Sequence, residues 1–228
     1  MIIAFVGQKG GIGKSTTAIS LAVAAHQRGA RVLLVDADPQ GTVRTWADVA
    51  NEAGHNTPTV VAMGATMHKQ GQLASIAQGY DLTIIDCPPR HGDIQRSALM
   101  VADVAVLPSG PSAADAWALA AALEVVNEAK TLRDELRACI LITRKQGRTA
   151  LAKGARKVLE SSGFPVLGSE LGYRVAYQEA IAMGRGVTTH APRDAASAEV
   201  FSLLAELESY AHGQEASVGF VAQAAAAG

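Results

Sequence analysis

A buried-strand pattern runs straight into a glycine-rich loop at the very start of the chain. Ile2-Ile3-Ala4-Phe5-Val6 is an uninterrupted apolar run, and Gly7-Gln8-Lys9-Gly10-Gly11-Ile12-Gly13-Lys14-Ser15-Thr16 follows it. Thr17 to Ala25 then reads as a helix. Strand, glycine loop and a Gly-Lys-Ser helix start form the context that a phosphate-binding loop needs. Glycines let backbone N–H groups turn toward phosphate oxygens, and the helix N-terminus adds the positive end of its dipole. In that arrangement Lys14 reaches the β/γ-phosphates and the Ser15 hydroxyl sits on Mg²⁺. The bland alternative, a glycine turn with no ligand, leaves the lysine, the hydroxyl and the helix start unexplained.

The general pattern asks for glycine where this chain has Gln8. Lys9-Gly10-Gly11-Ile12-Gly13-Lys14-Ser15 instead resembles the deviant Walker A motif of the ParA/MinD ATPases, in which a second, signature lysine corresponds to Lys9. By that resemblance Lys9 through Thr16 cradle the nucleotide.

Two carboxylates follow the second apolar run in Val35-Asp36-Ala37-Asp38-Pro39-Gln40-Gly41. Ligands bind beyond the carboxyl ends of strands in open α/β sheets, which places both near the loop. The string is similar to switch I of the same family. The resemblance implies that Asp38 orients the attacking water and lies near Mg²⁺. Capping of a turn is the competing reading, and a stronger one for Asp36 than for Asp38. Leu82-Thr83-Ile84-Ile85-Asp86-Cys87-Pro88-Pro89 is a Walker B pattern, whose Asp86 can hold the Mg²⁺ shell directly or through water. Cys87 reads as core, since no base stands near it in sequence.

The remaining chain alternates strands and helices. Strands are expected at 2–6, 31–35, 59–62, 81–85, 103–107, 138–142 and 165–167. Helices are expected at 15–28, 42–53, 66–78, 93–101, 113–133, 148–162, 173–183 and 195–211. Such alternation predicts an α/β fold, a mostly parallel twisted sheet with helices on both faces. With the loop motif, that is a P-loop NTPase of the deviant Walker A type. One domain over 1–212 is expected, followed by an Ala-rich, disordered tail over 213–228.

Composition narrows the functions. Apolar residues make up 49% and charged residues 18%, which suits a globular domain. Aromatics at 4% argue against a surface of stacking platforms for single strands. A net charge of −1 means that any nucleic-acid binding needs a local patch. Two cysteines, Cys87 and Cys139, give no disulfide framework, and no apolar run nears the roughly 20 residues of a membrane span. A cytoplasmic protein is expected, with no membrane partner.

Residues 138–159 hold six cations, Arg144, Lys145, Arg148, Lys153, Arg156 and Lys157, and no Asp or Glu. Helical spacing puts Lys153, Arg156 and Lys157 on one face. An unbalanced run of this kind reads as a polyanion site, with Lys145, Arg148, Lys153, Arg156 and Lys157 on duplex DNA, against the commoner solvated face. Without interleaved aromatics it would hold phosphates and read no bases. Ile140-Leu141-Ile142-Thr143-Arg144 stands where relatives carry Asn-Arg, and that Asn commonly contacts the adenine. Thr143 takes its place, a shorter hydroxyl that would bond the base directly or through water. Leu171-Gly172-Tyr173-Arg174, Gly186 and Ser197-Ala198-Glu199-Val200 resemble the family's C-terminal region more loosely.

The resemblance implies a short ParA-type partition ATPase. Mg²⁺-ATP would sit on the loop, and Lys9 would cross to the nucleotide of a second subunit, cementing a homodimer. The dimer would bind duplex DNA without sequence preference, in the nucleoid. A ParB-like adaptor or centromere-binding protein would stimulate slow hydrolysis, with plasmid, chromosome or protein cluster as cargo. Two other roles of the same fold remain, a MinD-like positioning ATPase and a biosynthetic ligase or kinase. The tail over 215–223 lacks the cations of a membrane-binding amphipathic helix, which argues against the MinD-like role. An iron–sulfur carrier would need more cysteines than two.

Overall fold

The computed structural model describes residues 1–147 and 150–213. Seven strands form one sheet: β1 (Ile2–Phe5), β2 (Val32–Asp36), β3 (Thr59–Ala62), β4 (Leu82–Asp86), β5 (Val104–Ser109), β6 (Arg137–Lys145) and β7 (Val166–Gly172). Their order is β3-β2-β4-β1-β5-β6-β7, and every neighbouring pair is parallel. A parallel sheet needs cover on both faces, and the helices between strands supply it.

Alternation along the strands sorts the core. Ile3 and Phe5 of β1 pack on one face with Ile19 and Val23 of α1 (Lys14–Gln27) and Trp46 of α2 (Thr42–Glu52). Ala4 and Val6 face the other way. Met67, Leu73 of α3 (Leu73–Ala77), Ile94 and Leu99 of α4 (Gly92–Leu99), and Leu119 and Val126 of α5 (Ala113–Lys130) lie on that face. Helices α6 (Ala150–Glu160) and α9 (Ala195–Ala211) pack on the edge strand β7, α2 packs on the other edge strand β3, and α7 (Val175–Ala182) and the single turn α8 (Val187–His190) lie against α1. Gly184, at φ +64°, lets the link after α7 lie on α2, where an added Cβ would stand 2.5 Å from the Ala50 nitrogen.

All seven expected strands are present, with differences at the edges. Strand β6 continues to Lys145, so Thr143, Arg144 and Lys145 lie on it. Strand β7 continues to Gly172 through the polar Ser169 and Glu170, an edge-strand stretch with register shifts against β6 that hide its pattern. The helix expected over 66–78 shrinks to Leu73–Ala77, because His68 to Gln72 contains no apolar residue to bury and Gly71 turns at φ +76°. The turn α8 is too short to show a helical period. The proposed tail lies outside the described residues, apart from Gly213.

Candidate nucleotide-binding site

The sheet register assembles the three motifs. Phe5 and Asp36 are both register partners of Asp86, so the loop after β1, the loop after β2 and the end of β4 leave the same edge side by side. Gly13 starts α1 at φ +99°, where a Cβ would be strained, and its carbonyl accepts hydrogen bonds from the Thr17 amide and hydroxyl.

Lys14 is almost wholly buried, and its Nζ donates to the Lys9 carbonyl at 3.0 Å. Burial lowers its pKa, against the pull of Asp86, Cys87 and Asp38. Asp86 is fully buried, and neither carboxylate oxygen has a hydrogen-bond partner. Burial pushes its pKa up to about 7, although the Ser15 hydroxyl and Lys14 act the other way. An unpartnered buried carboxylate beside a hydroxyl is a donor set that fits a hard, oxygen-seeking dication such as Mg²⁺. Ser15 and Asp86 are the residues that would hold it.

Asp36 has a structural role. Its Oδ2 accepts from the Arg44 amide at 2.9 Å and from Arg44 Nε at 3.2 Å, which caps α2 from the strand end. Its Oδ1 accepts the Asp38 amide at 3.1 Å. Asp36 thereby positions the loop that presents Asp38, whose own Oδ1 accepts the Gln40 amide.

Lys9 Nζ donates to Asp115 Oδ1 at 2.5 Å. Asp115 belongs to a capping box with Ser112 at the start of α5, and its carboxylate packs where a Cβ on Gly110 would have to stand. Burial pushes the Asp115 carboxyl up, but Lys9 and Ser112 outweigh it and hold the group below the usual range. Neither this cap nor its partnership with Lys9 was anticipated from the sequence. Gln95 was also missed. Fully buried on α4, it donates to the carbonyls of Gly7 and Pro88, tying the start of the loop to the exit of β4.

A cavity of about 370 Å³ opens beside the loop, lined among others by Gly11, Gly13, Thr16, Thr143, Tyr173, Tyr177 and Gln178. Thr143 lines it, but its hydroxyl donates to the Ile12 carbonyl at 2.8 Å. Gly10 and Gly11 are exposed at the loop tip.

The basic stretch is corrected by its neighbours. Glu170 of β7 accepts from Lys145 and from Arg156, and Arg156 also faces Glu160. The run is acid-free in sequence but not in space, so Lys145 and Arg156 are not open cations. Burial raises the Glu170 pKa, yet these two bases prevail and hold it low. Lys157 is exposed, with no ion pair among the described residues. Arg148 and the side chain of Lys153 lie outside them. Cys87 and Cys139 are buried thiols whose pKa values burial drives up, as core cysteines require.

The profile of the CobQ/CobB/MinD/ParA nucleotide binding domain matches residues 3–187. The chromosome-partitioning ATPase Soj of Thermus thermophilus is 33% identical over 94% of this chain and 97% of its own length. The maintenance of carboxysome distribution protein A of Halothiobacillus neapolitanus is 30% identical over 81% of this chain and 85% of its own. Among solved structures, the septum site-determining protein MinD of Pyrococcus horikoshii, complexed with Mg-ADP, superposes with a TM-score of 0.70 at 22% identity. That match covers 92% of this chain and 96% of MinD.

Proposed function

Because the chain belongs to the CobQ/CobB/MinD/ParA nucleotide-binding family, we propose that it is a Mg²⁺-dependent ATPase that positions or partitions a cargo through an ATP-driven homodimer. One observation carries this reading. The loop that holds Lys14 and faces the unpartnered Asp86 also carries a second lysine, Lys9, which is partly exposed and tied to Asp115 alone among the described residues. A lysine at that point adds little to a site that already has Lys14. It gains a role when the loop meets the phosphates of a second copy. The Mg-ADP of MinD and the partition roles named for Soj and the carboxysome protein support the same reading.

In the cycle, Lys14 neutralises the β/γ-phosphates, Ser15 and Asp86 hold Mg²⁺, and Asp38 aligns the attacking water. Duplex DNA in the nucleoid serves as the matrix. It is gripped through backbone phosphates by Lys157 with Arg148 and Lys153, and a cargo-borne adaptor protein triggers hydrolysis and release. Light scattering with ATP and with ADP, at matched protein concentration, tests the core of the proposal. A mass that doubles with ATP alone, together with phosphate release, is expected. A monomer in both nucleotides overturns the dimer, and absent phosphate release overturns the ATPase.

A further inference from the structure

We propose that a second cavity, between α1, α2 and the link from α7 to α8, binds a small-molecule oxyanion, phosphoryl or carboxylate, with the Arg185 guanidinium as its anchor. This cavity shares no lining residue with the one beside the phosphate loop. The inference does not rest on the nucleotide reading above.

The cavity measures about 400 Å³, the size of a small-molecule site. Val23 and Trp46 give it an apolar lining, and His55, Asn56, Thr57 and Arg185 give it a polar one. No Asp or Glu lines it among the described residues, in a chain whose net charge is −1.

The backbone presents Arg185 under constraint. Gly184 stands against the backbone of Ala50, and a Cβ on Gly186 would lie 2.5 Å from the Val23 Cβ. Between these two close approaches, the Arg185 amide donates to the Ala180 carbonyl at 2.9 Å. The Arg185 carbonyl accepts the Trp46 indole N–H at 3.1 Å. Both main-chain polar groups are therefore held, and only the side chain remains to be ordered by a ligand. Preorganisation of that kind lowers the cost of binding.

The side chain meets a base instead of an acid. Arg185 Nε donates to His55 Nε2 at 3.2 Å. An imidazole nitrogen that accepts is unprotonated, so the His55 proton sits on Nδ1 and makes that atom a donor. Neither residue joins an ion pair among the described residues. Asn56 Oδ1 is held by His26 Nε2 at 3.1 Å, which leaves the amide NH2 as its free end. The guanidinium fork, an imidazole N–H and an amide NH2 are all donors. That inventory suits an oxyanion, for which the fork supplies paired, charge-assisted hydrogen bonds.

Trp46 reports on this cavity. The chain has two tryptophans, and replacing the exposed Trp117 by Phe leaves Trp46 as the only one. In that background, with Mg-ADP saturating the phosphate loop, inorganic phosphate and malonate are titrated at constant ionic strength in chloride. A saturable change in Trp46 emission is expected. A response to phosphate supports a phosphoryl ligand, and a response to malonate a carboxylate. Arg185→Gln removes the fork and keeps the main-chain bond to Trp46, so it should weaken the response at least about tenfold, the cost of a lost charged hydrogen bond. Arg185→Lys keeps the charge without the fork and should fall between the two. No saturation with either anion overturns the proposal, as does an equal response to chloride. Wild-type affinity in Arg185→Gln overturns it as well, and if that variant fails to fold, wild-type affinity in Arg185→Lys does so in its place. Failure of ADP to bind in calorimetry counts against the nucleotide reading, and the Arg185 variants still decide this site.

Discussion

Lys9 Nζ and Asp115 Oδ1 stand 2.5 Å apart, so the exposed lysine of the phosphate loop is tethered to the first turn of α5. The same carboxylate accepts the Ser112 amide through its other oxygen, which places a helix cap and a loop tether on one side chain. A lysine held this way must leave Asp115 before it can meet phosphate on a second copy.

Asp115→Asn should therefore favour the ATP-bound dimer. The pair is partly exposed, so its loss is worth at most about 1 kcal/mol, or roughly fivefold in the dimerisation constant. The weakened cap should lower the melting temperature at the same time, and the two effects separate by readout. Lys9→Ala should retain ADP affinity and form no ATP-dependent dimer in light scattering.

Lys14→Ala should remove nucleotide binding in calorimetry, since nothing else described in the loop neutralises the phosphates from within. Asp38→Ala should bind ATP normally and hydrolyse it on the order of 10²–10⁴ times more slowly, the usual cost of losing a group that positions a proton transfer. Wild-type turnover in this variant would exclude Asp38 from the chemistry.

Glu170→Gln should release Lys145 and Arg156. If the β6–α6 surface meets duplex DNA, the log–log salt slope should steepen by up to about 0.9 for each cation released. Stability should change as well. Glu170 has a depressed folded-state pKa, so its contribution is present at neutral pH and is lost as pH falls below the unfolded value and through the folded one. The variant should lack that acid limb in urea melts run from pH 7 down to pH 3. An unchanged salt slope would place any DNA contact elsewhere, with the exposed Arg193 the next candidate.

Gly184→Ala should destabilise the chain by about 2 kcal/mol or more. It adds a Cβ against the backbone of Ala50 at a left-handed φ, and nothing in that contact is a flexible side-chain end. Denaturant titration measures the loss directly.

Ile2 to Ser15 spelled out strand, loop and helix because each step obeys a local rule: apolar run, glycine turn, dipole-facing hydroxyl. Asp86 was legible for the same reason. Pairings across the sheet were not legible. The sequence distance from Lys145 to Glu170 hides the fact that β6 and β7 are neighbours, and the charge run over 138–159 looked unopposed until that edge was assembled. Asp115 and Gln95 stayed silent for a similar reason, since their partners on the phosphate loop lie 106 and 88 residues away in the chain. Capping was already the stronger reading for Asp36 than for Asp38, and its bonds to Arg44 show what it braces.

The hydroxyl of Thr143 hangs from the Ile12 carbonyl, and two residues further along the same strand Lys145 grips Glu170. One strand, β6, thus carries both the contact to the phosphate loop and, through Glu170, the tie to Arg156 of α6. The loop and the cation-bearing helix are anchored to the same rigid element, packed at the density of a protein core.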